Sequence, residues 1–402
     1  SWFNEATVSD PSPRVDAVID AHMVGFGQDA NERLSQLLHD AKSEDVFAPV
    51  CVIVPSNYVA VTLRRELASG DYGPTSWVGV GLVGTDFLTS YRLAESVVGH
   101  SFLAQGRQPV RGVVIGAAIR QILADDPGIF GPIAHHGATE RELVRVYREL
   151  RDLEDDELNT LAALGERSSE VVRVCSAANQ LLQNEWFDEF DLFRSTDLSA
   201  GKVSDFGKLV LFLPQQLATT EIGFLSRLSE SSPLSALIGL TGADDADRES
   251  NRIAGLFGAE LSSPRVATTS TGTVISVSDP DDEVRTTIRS VVGRLDRGIP
   301  ANQIAVLYPH RNPYARLLEE HLSTSAICFN GLSARTVADS MLGRFIMSLL
   351  ALPDKNLNVT AVLNFLSSSQ TRRHFNSPVV APAVSWSQSA IAAGVSAGLE
   401  DW

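Results

Sequence analysis

His22-Met23-Val24-Gly25-Phe26-Gly27-Gln28-Asp29 has the glycines of a phosphate-binding loop without its chemistry. Such a loop cradles phosphates with backbone N–H groups, adds the cation of a lysine, and holds Mg²⁺ with a Ser or Thr hydroxyl. Gln28 stands at the lysine position and supplies no charge; Asp29 stands at the hydroxyl position and puts a negative charge beside the phosphate site. Gly25, Gly27, Gln28 and Asp29 therefore read as a vestigial nucleotide loop, and no cofactor is expected. The segment Gly25 to Ala30 also fits the dinucleotide pattern G-x-G-x-x-A. That site needs an acidic residue at the end of the next strand, and Cys51 to Val54 ends in Pro55-Ser56-Asn57, which argues against NAD. A second match, Gly79 to Gly84, lies within a strand-like run rather than opening a helix.

Outward from this loop, short apolar runs alternate with helix-like segments. The runs are Val50 to Val54, Trp77 to Val83, Leu209 to Leu213, Ala236 to Thr241, Val274 to Val277, Ile304 to Tyr308 and Ala326 to Phe329. Runs apolar at nearly every position suit strands buried on both faces, and their alternation with helices predicts an α/β fold with a parallel sheet. Asp279-Pro280 and Asn312-Pro313 each place a capping side chain before a proline at the first helical position, and Gly298 closes the first of these helices. From about 86 to 205 the strand signal gives way to helical spacing. One helix is expected from Thr139, with Glu142 completing a capping box and Leu143, Tyr147, Leu150 and Leu153 on one face. Another carries Val171, Cys175, Ala178, Leu182 and Trp186. Residues Glu260 to Thr273, rich in Ser, Thr and Pro, read as a linker.

A chain of 402 residues predicts two domains, and its longest apolar runs are too short to span a membrane. The start, Ser1-Trp2-Phe3-Asn4-Glu5, does not resemble a signal peptide, so a cytoplasmic location is expected. A net charge of −16 opposes a surface that coats nucleic acid, though not a local basic groove. Cys51, Cys175 and Cys328 lie far apart without neighbouring histidines, which suggests neither a zinc site nor a disulfide framework. The Leu209 to Gln216 run looks like a strand that would end in a Mg²⁺-binding acidic pair, yet no Asp or Glu occurs from Leu209 to Thr220. A degenerate site and a strand that never carried carboxylates are equally compatible with that segment. Asp244, Asp245 and Asp247 read as a solvated acidic loop rather than cation ligands, and His135-His136 has no catalytic partner at readable spacing.

Taken in order, these pieces resemble superfamily 1 helicases, and more closely the AddB-type subunit of bacterial helicase–nucleases. Val52 to Asn57 and the helix Val59 to Leu67 are similar to that family's motif Ia strand and helix. Gly84-Thr85-Asp86-Phe87-Leu88 resembles the next motif, with Asp86 inserted. Asp279 to Val284, Ile304 to Tyr308, Pro313-Tyr314, Leu317-Leu318 and Phe329-Asn330-Gly331 follow the order in which the family builds its second domain; Trp386, Ala393 to Val395 and Gly398 to Trp402 resemble part of its helical insertion. The arginine that active relatives place after the motif IV tyrosine is Pro309 here, with Arg311 two residues later.

The resemblance implies two RecA-like, P-loop-type parallel-sheet domains with helical insertions: residues 1–270 with an insertion at about 89–205, and residues 271–402 with a second insertion beginning at about 353. It also implies an amino-terminal portion of a longer subunit whose nuclease domain lies beyond residue 402. The expected function is a non-hydrolysing, helicase-like part of a DNA-repair helicase–nuclease, guiding DNA beside a helicase or nuclease motor subunit. Ser56 and Asn57 would contact DNA phosphates, and Arg64 and Arg65 follow as further contacts or as solvated surface residues. The competing expectations are an assembly scaffold without DNA contact and an α/β nucleotide- or cofactor-binding enzyme.

Overall fold

Strands that are apolar on both faces need cover on both, and the main sheet of this chain has it. The computed structural model describes residues 19–70, 81–198, 200–259, 272–331, 340–366 and 383–402. The chain divides into two compact units, Ser1–Thr269 and Ser270–Trp402. The first is an α/β unit with a five-stranded sheet. Its strands are β1 (Asp20–Gly25), β2 (Val50–Ile53), β3 (Thr85–Leu88), β6 (Lys208–Phe212) and β7 (Leu234–Leu240), in spatial order β1-β7-β6-β2-β3. Every neighbouring pair is parallel. Along β2, Val50 and Val52 enter the cluster formed with helices α1 (Gln28–Ala41) and α2 (Asn57–Ser69), whereas Cys51 and Ile53 enter the opposite one. That opposite layer comprises α3 (Ser90–Ala104), α8 (Glu189–Arg194), α10 (Thr219–Ser231) and α11 (Arg248–Leu256). Gly207 admits the chain into β6: its φ is +62°, and a Cβ there would overlap the Pro49 carbonyl oxygen.

Between β3 and β6 lies a helical insertion. Its main helices are α4 (Gly112–Asp125), α5 (Gly137–Leu150), α6 (Asp155–Ala163) and α7 (Glu166–Leu182), followed after α8 by the short α9 (Ala200–Ser204). Ile115, Ile119, Leu143, Tyr147, Cys175 and Ala178 form its core. Both Cys51 and Cys175 are buried, and desolvation pushes each thiol up to about 12. Arg151 joins the insertion to α8, pairing with Asp188 at 2.7 Å and Asp191 at 2.8 Å; Arg107 reaches Asp191 at 3.1 Å. Asp152 accepts hydrogen bonds from the Thr219 and Thr220 N–H groups and so caps α10.

Several expectations need correction. The strand expected at Trp77 to Val83 lies partly outside the described residues, as do most of the Glu260 to Thr273 linker and the first two residues of the glycine pattern Gly79 to Gly84. Residues 81–83 are not strand, and the strand forms at Thr85–Leu88, where only Phe87 is buried. The interval from 89 to 207 is not strandless: β4 (Gln108–Pro109) and β5 (Trp186–Phe187) form a parallel two-residue bridge too short to show as an apolar run. Helix α5 begins at Gly137 with no side-chain cap, because the Thr139 hydroxyl donates to the Ile133 carbonyl instead.

In the second unit α12 (Pro280–Leu295) starts as expected, with Asp279 accepting from the Asp282 N–H. Helix α13 (Arg311–Thr324) starts two residues before Pro313 and has no side-chain cap. The two helices bury Val284, Ile288, Leu317, Leu318 and Leu322, with Val306, Tyr308 and Ile327 packed against them. The runs Val274 to Val277, Ile304 to Tyr308 and Ala326 to Phe329, which read as strands, form none. Strand propensity without a ladder partner fixes nothing, and Val274 and Leu307 are 98% and 92% exposed. The unit continues through α14 (Met341–Asp354), α15 (Val359–Leu366) and α16 (Ala383–Ala392). Among the described residues no helix is long and apolar enough to cross a membrane.

Candidate functional site

Three places on the first unit carry the residues singled out from sequence, or the chemistry that sequence reading missed. The first is the turn after β1. The strand ends at Gly25 and α1 begins at Gln28, so Phe26 and Gly27 alone form the loop. A phosphate loop needs its first glycine six residues before the lysine position. That position is His22, which is held in register with Leu237 inside the sheet. The loop is thus strand where it would have to be a cradle. Gly27 supplies the turn at φ +81°, and Phe26 folds over the end of the sheet: a Cβ on Gly239 would lie 2.5 Å from its ring. The Gly25 N–H, which would face a phosphate, donates to the Asp29 carboxylate at 2.6 Å. Gln28 runs along the helix and donates to Glu32 at 2.6 Å. An internal anion and a helix-side hydrogen bond occupy what a nucleotide would use.

The second place is the end of β2. The Ser56 hydroxyl caps α2, accepting from the Val59 N–H at 3.4 Å. Asn57, Arg64 and Arg65 are exposed, but they do not act alike. The Arg64 guanidinium lies 5.7 Å from the Phe87 ring centroid, a cation–π contact that ties it to β3. Arg65 shares a helix face with Asn57, Val61 and Tyr58, and Tyr58 is 78% exposed. Sequence reading passed over Tyr58, although an aromatic directly after Ser-Asn at a strand end is a visible signal.

The third place was not legible in advance. Connections leave β2 toward β3 and leave β6 toward β7, in opposite directions across the sheet. Beyond such a reversal point the carboxyl ends of the strands open a crevice, the usual ligand position in this fold class. Here the crevice is a cleft of about 690 Å³. Its floor includes Ile53 and Leu211, and its walls Tyr91, Phe190, Pro214 and Phe193. Two carboxylates line it, Glu189 from α8 and Glu221 from α10. Burial pushes the Glu221 carboxyl up, against hydrogen bonds from the Ser90 hydroxyl and the Ala218 backbone. Burial also raises Glu189, with Asp188 adding to the shift and Arg148 and Arg151 opposing it. Glu221 is the first residue after the acid-free stretch that ends at Thr220, and Glu189 arrives from the insertion.

Asp247 proves structural. It accepts from the Thr241 N–H at 2.7 Å and the Gly242 N–H at 2.8 Å, closing the loop after β7. Burial raises its carboxyl, but the hydrogen bonds from Thr241, Gly242 and Ala243 outweigh that and hold it low. Among the described residues no group of three or more His, Cys, Asp or Glu side chains is placed to hold a metal ion. Comparison with protein-family models and with curated proteins yields no match.

Proposed function

We propose that this chain is a non-hydrolysing, helicase-like module whose first unit is RecA-like, and which holds DNA beside a motor subunit through the exposed face of α2. One observation carries the reading. At the carboxyl end of a central parallel strand, Asn57, Tyr58 and Arg65 present an amide, an aromatic face and a cation along one strip, while the turn after β1 is filled by Asp29. Exposed aromatics stack bases without regard to sequence, and arginines neutralise phosphates, so the binding is weak, sequence-independent and salt-sensitive. The scaffold reading is favoured by a different observation, the acidic lining of the cleft at the ends of β2 and β6, which repels phosphate.

Fluorescence anisotropy with a single-stranded and a forked DNA at low salt separates the two. Tyr58→Ala is expected to weaken binding about tenfold, since stacking contributes roughly 1–3 kcal/mol per base. Arg65→Ala should lower the salt slope by about one. Absence of binding to both DNAs by a folded sample would replace this reading with the scaffold, and binding unchanged by Tyr58→Ala, Arg65→Ala and Ser56→Glu would place the DNA elsewhere.

A further inference from the structure

We infer that the cleft at the carboxyl ends of β2 and β6 is a docking site for an arginine side chain presented by a protein partner. The inference does not rest on the DNA-binding reading, which concerns the outer face of α2. Shape comes first: the cleft lies at the reversal point of the sheet, is about 690 Å³, and is walled by Tyr91, Phe190 and Phe193. Aromatic rings and two carboxylates lining one cleft match a guanidinium, which stacks on rings and forks onto carboxylates, better than a compact, strongly hydrated ammonium.

Charge complementarity points the same way. Among the described residues neither Glu189, which is exposed at the cleft, nor the half-buried Glu221 has a salt-bridge partner, and desolvation raises the carboxyl of each. The cations nearby are engaged or offset: Arg151 pairs with Asp188 and Asp191, and Arg148 acts on Glu189 without forming an ion pair. Asp152 and Glu189 both add negative potential at Glu221. A carboxylate accepts about four hydrogen bonds, and Glu221 receives those of Ser90 and Ala218. A bidentate guanidinium supplies donors for the remaining lone pairs and the missing positive charge together. Its two carboxylates repel phosphate-bearing ligands.

The test uses the whole chain and a fluorescein-labelled hexa-arginine peptide, with the hexa-citrulline peptide as its uncharged counterpart. Wild-type protein should bind the arginine peptide and not the citrulline one. Glu189→Gln with Glu221→Gln should weaken binding about tenfold, as the loss of a charge-assisted pair implies. Removing two exposed acids at the amino-terminal edge of the sheet, Glu44→Gln with Asp205→Asn, controls for the attraction of a −16 protein and should change binding less than about twofold. Equal weakening in both double variants, or no weakening in the cleft variant at an unchanged melting temperature, overturns the proposal. Should the cleft variant lose its fold, Gln216→Trp, which fills the cleft from an exposed lining position and leaves both carboxylates and the Ser90 hydrogen bond in place, must abolish the difference between the two peptides.

Discussion

Replacing Asp29 by alanine tests both what holds the β1–α1 turn and what closes it to nucleotide. Its carboxylate lies in the first turn of α1 and accepts the Gly25 N–H at 2.6 Å. A hydrogen bond to a charged group contributes about 1.5–3 kcal/mol, and a carboxylate at a helix N-terminus about 0.3–1 kcal/mol more. Because Asp29 is only half-buried, the low end applies, and Asp29→Ala should cost about 2 kcal/mol, roughly a thirtyfold shift in the folding equilibrium. Asp29→Asn keeps an acceptor oxygen and loses the charge, so about half that cost is expected. Urea unfolding followed by far-UV circular dichroism measures the midpoint. Hydrogen exchange in a peptide covering residues 22–31 reports the Gly25 amide directly, which should exchange faster in the alanine variant. Unchanged stability together with unchanged exchange would refute the idea that this carboxylate locks the turn. Mg-ATP titrations of the same variant should stay blank, because two residues between strand and helix still cannot encircle a phosphate. Micromolar affinity appearing on removal of the carboxylate would show that Asp29, and not loop length, closes the site.

Arg151→Ala strips the cation from Asp188 and Asp191, and breaking such a half-buried network should cost about 3 kcal/mol, read as a lower urea midpoint with earlier hydrogen exchange in α5 and α8. Glu221→Gln should stabilise the protein at high pH. The folded carboxyl is raised, so the native state holds its proton longer than the unfolded chain and stability falls as pH rises through that range; the variant's gain in melting temperature should appear at pH 8 and vanish at pH 4.

What the sequence disclosed follows from where each residue ends up. Strands β2, β6 and β7 were legible because both their faces are covered, leaving Val50 to Ile53 and Leu209 to Phe212 apolar throughout. Strands β1 and β3 were not, since they lie at the two edges of the sheet and polar Asp20, His22, Thr85 and Asp86 interrupt them. In the second unit, Val274 and Leu307 belong to segments with strand composition and no ladder, a property set by partners distant in sequence. The chemistry of the β1–α1 turn could be read from Gln28 and Asp29 alone. The cleft could not, because Glu189 and Glu221 come from separate elements and meet only when the insertion folds back onto the sheet.

The pairing of β1 with β7 sets a clock on biosynthesis. Asp20 and Ser235 are 215 positions apart, and at roughly 5–20 residues per second a ribosome takes about 10–40 s to deliver β7 after β1 has emerged. Throughout that interval the nascent chain carries a strand with no mate, open to pairing with neighbouring nascent chains on the same messenger. Asp20 and His22, which kept β1 from looking like a strand, put polar side chains on that waiting segment and make premature association less favourable.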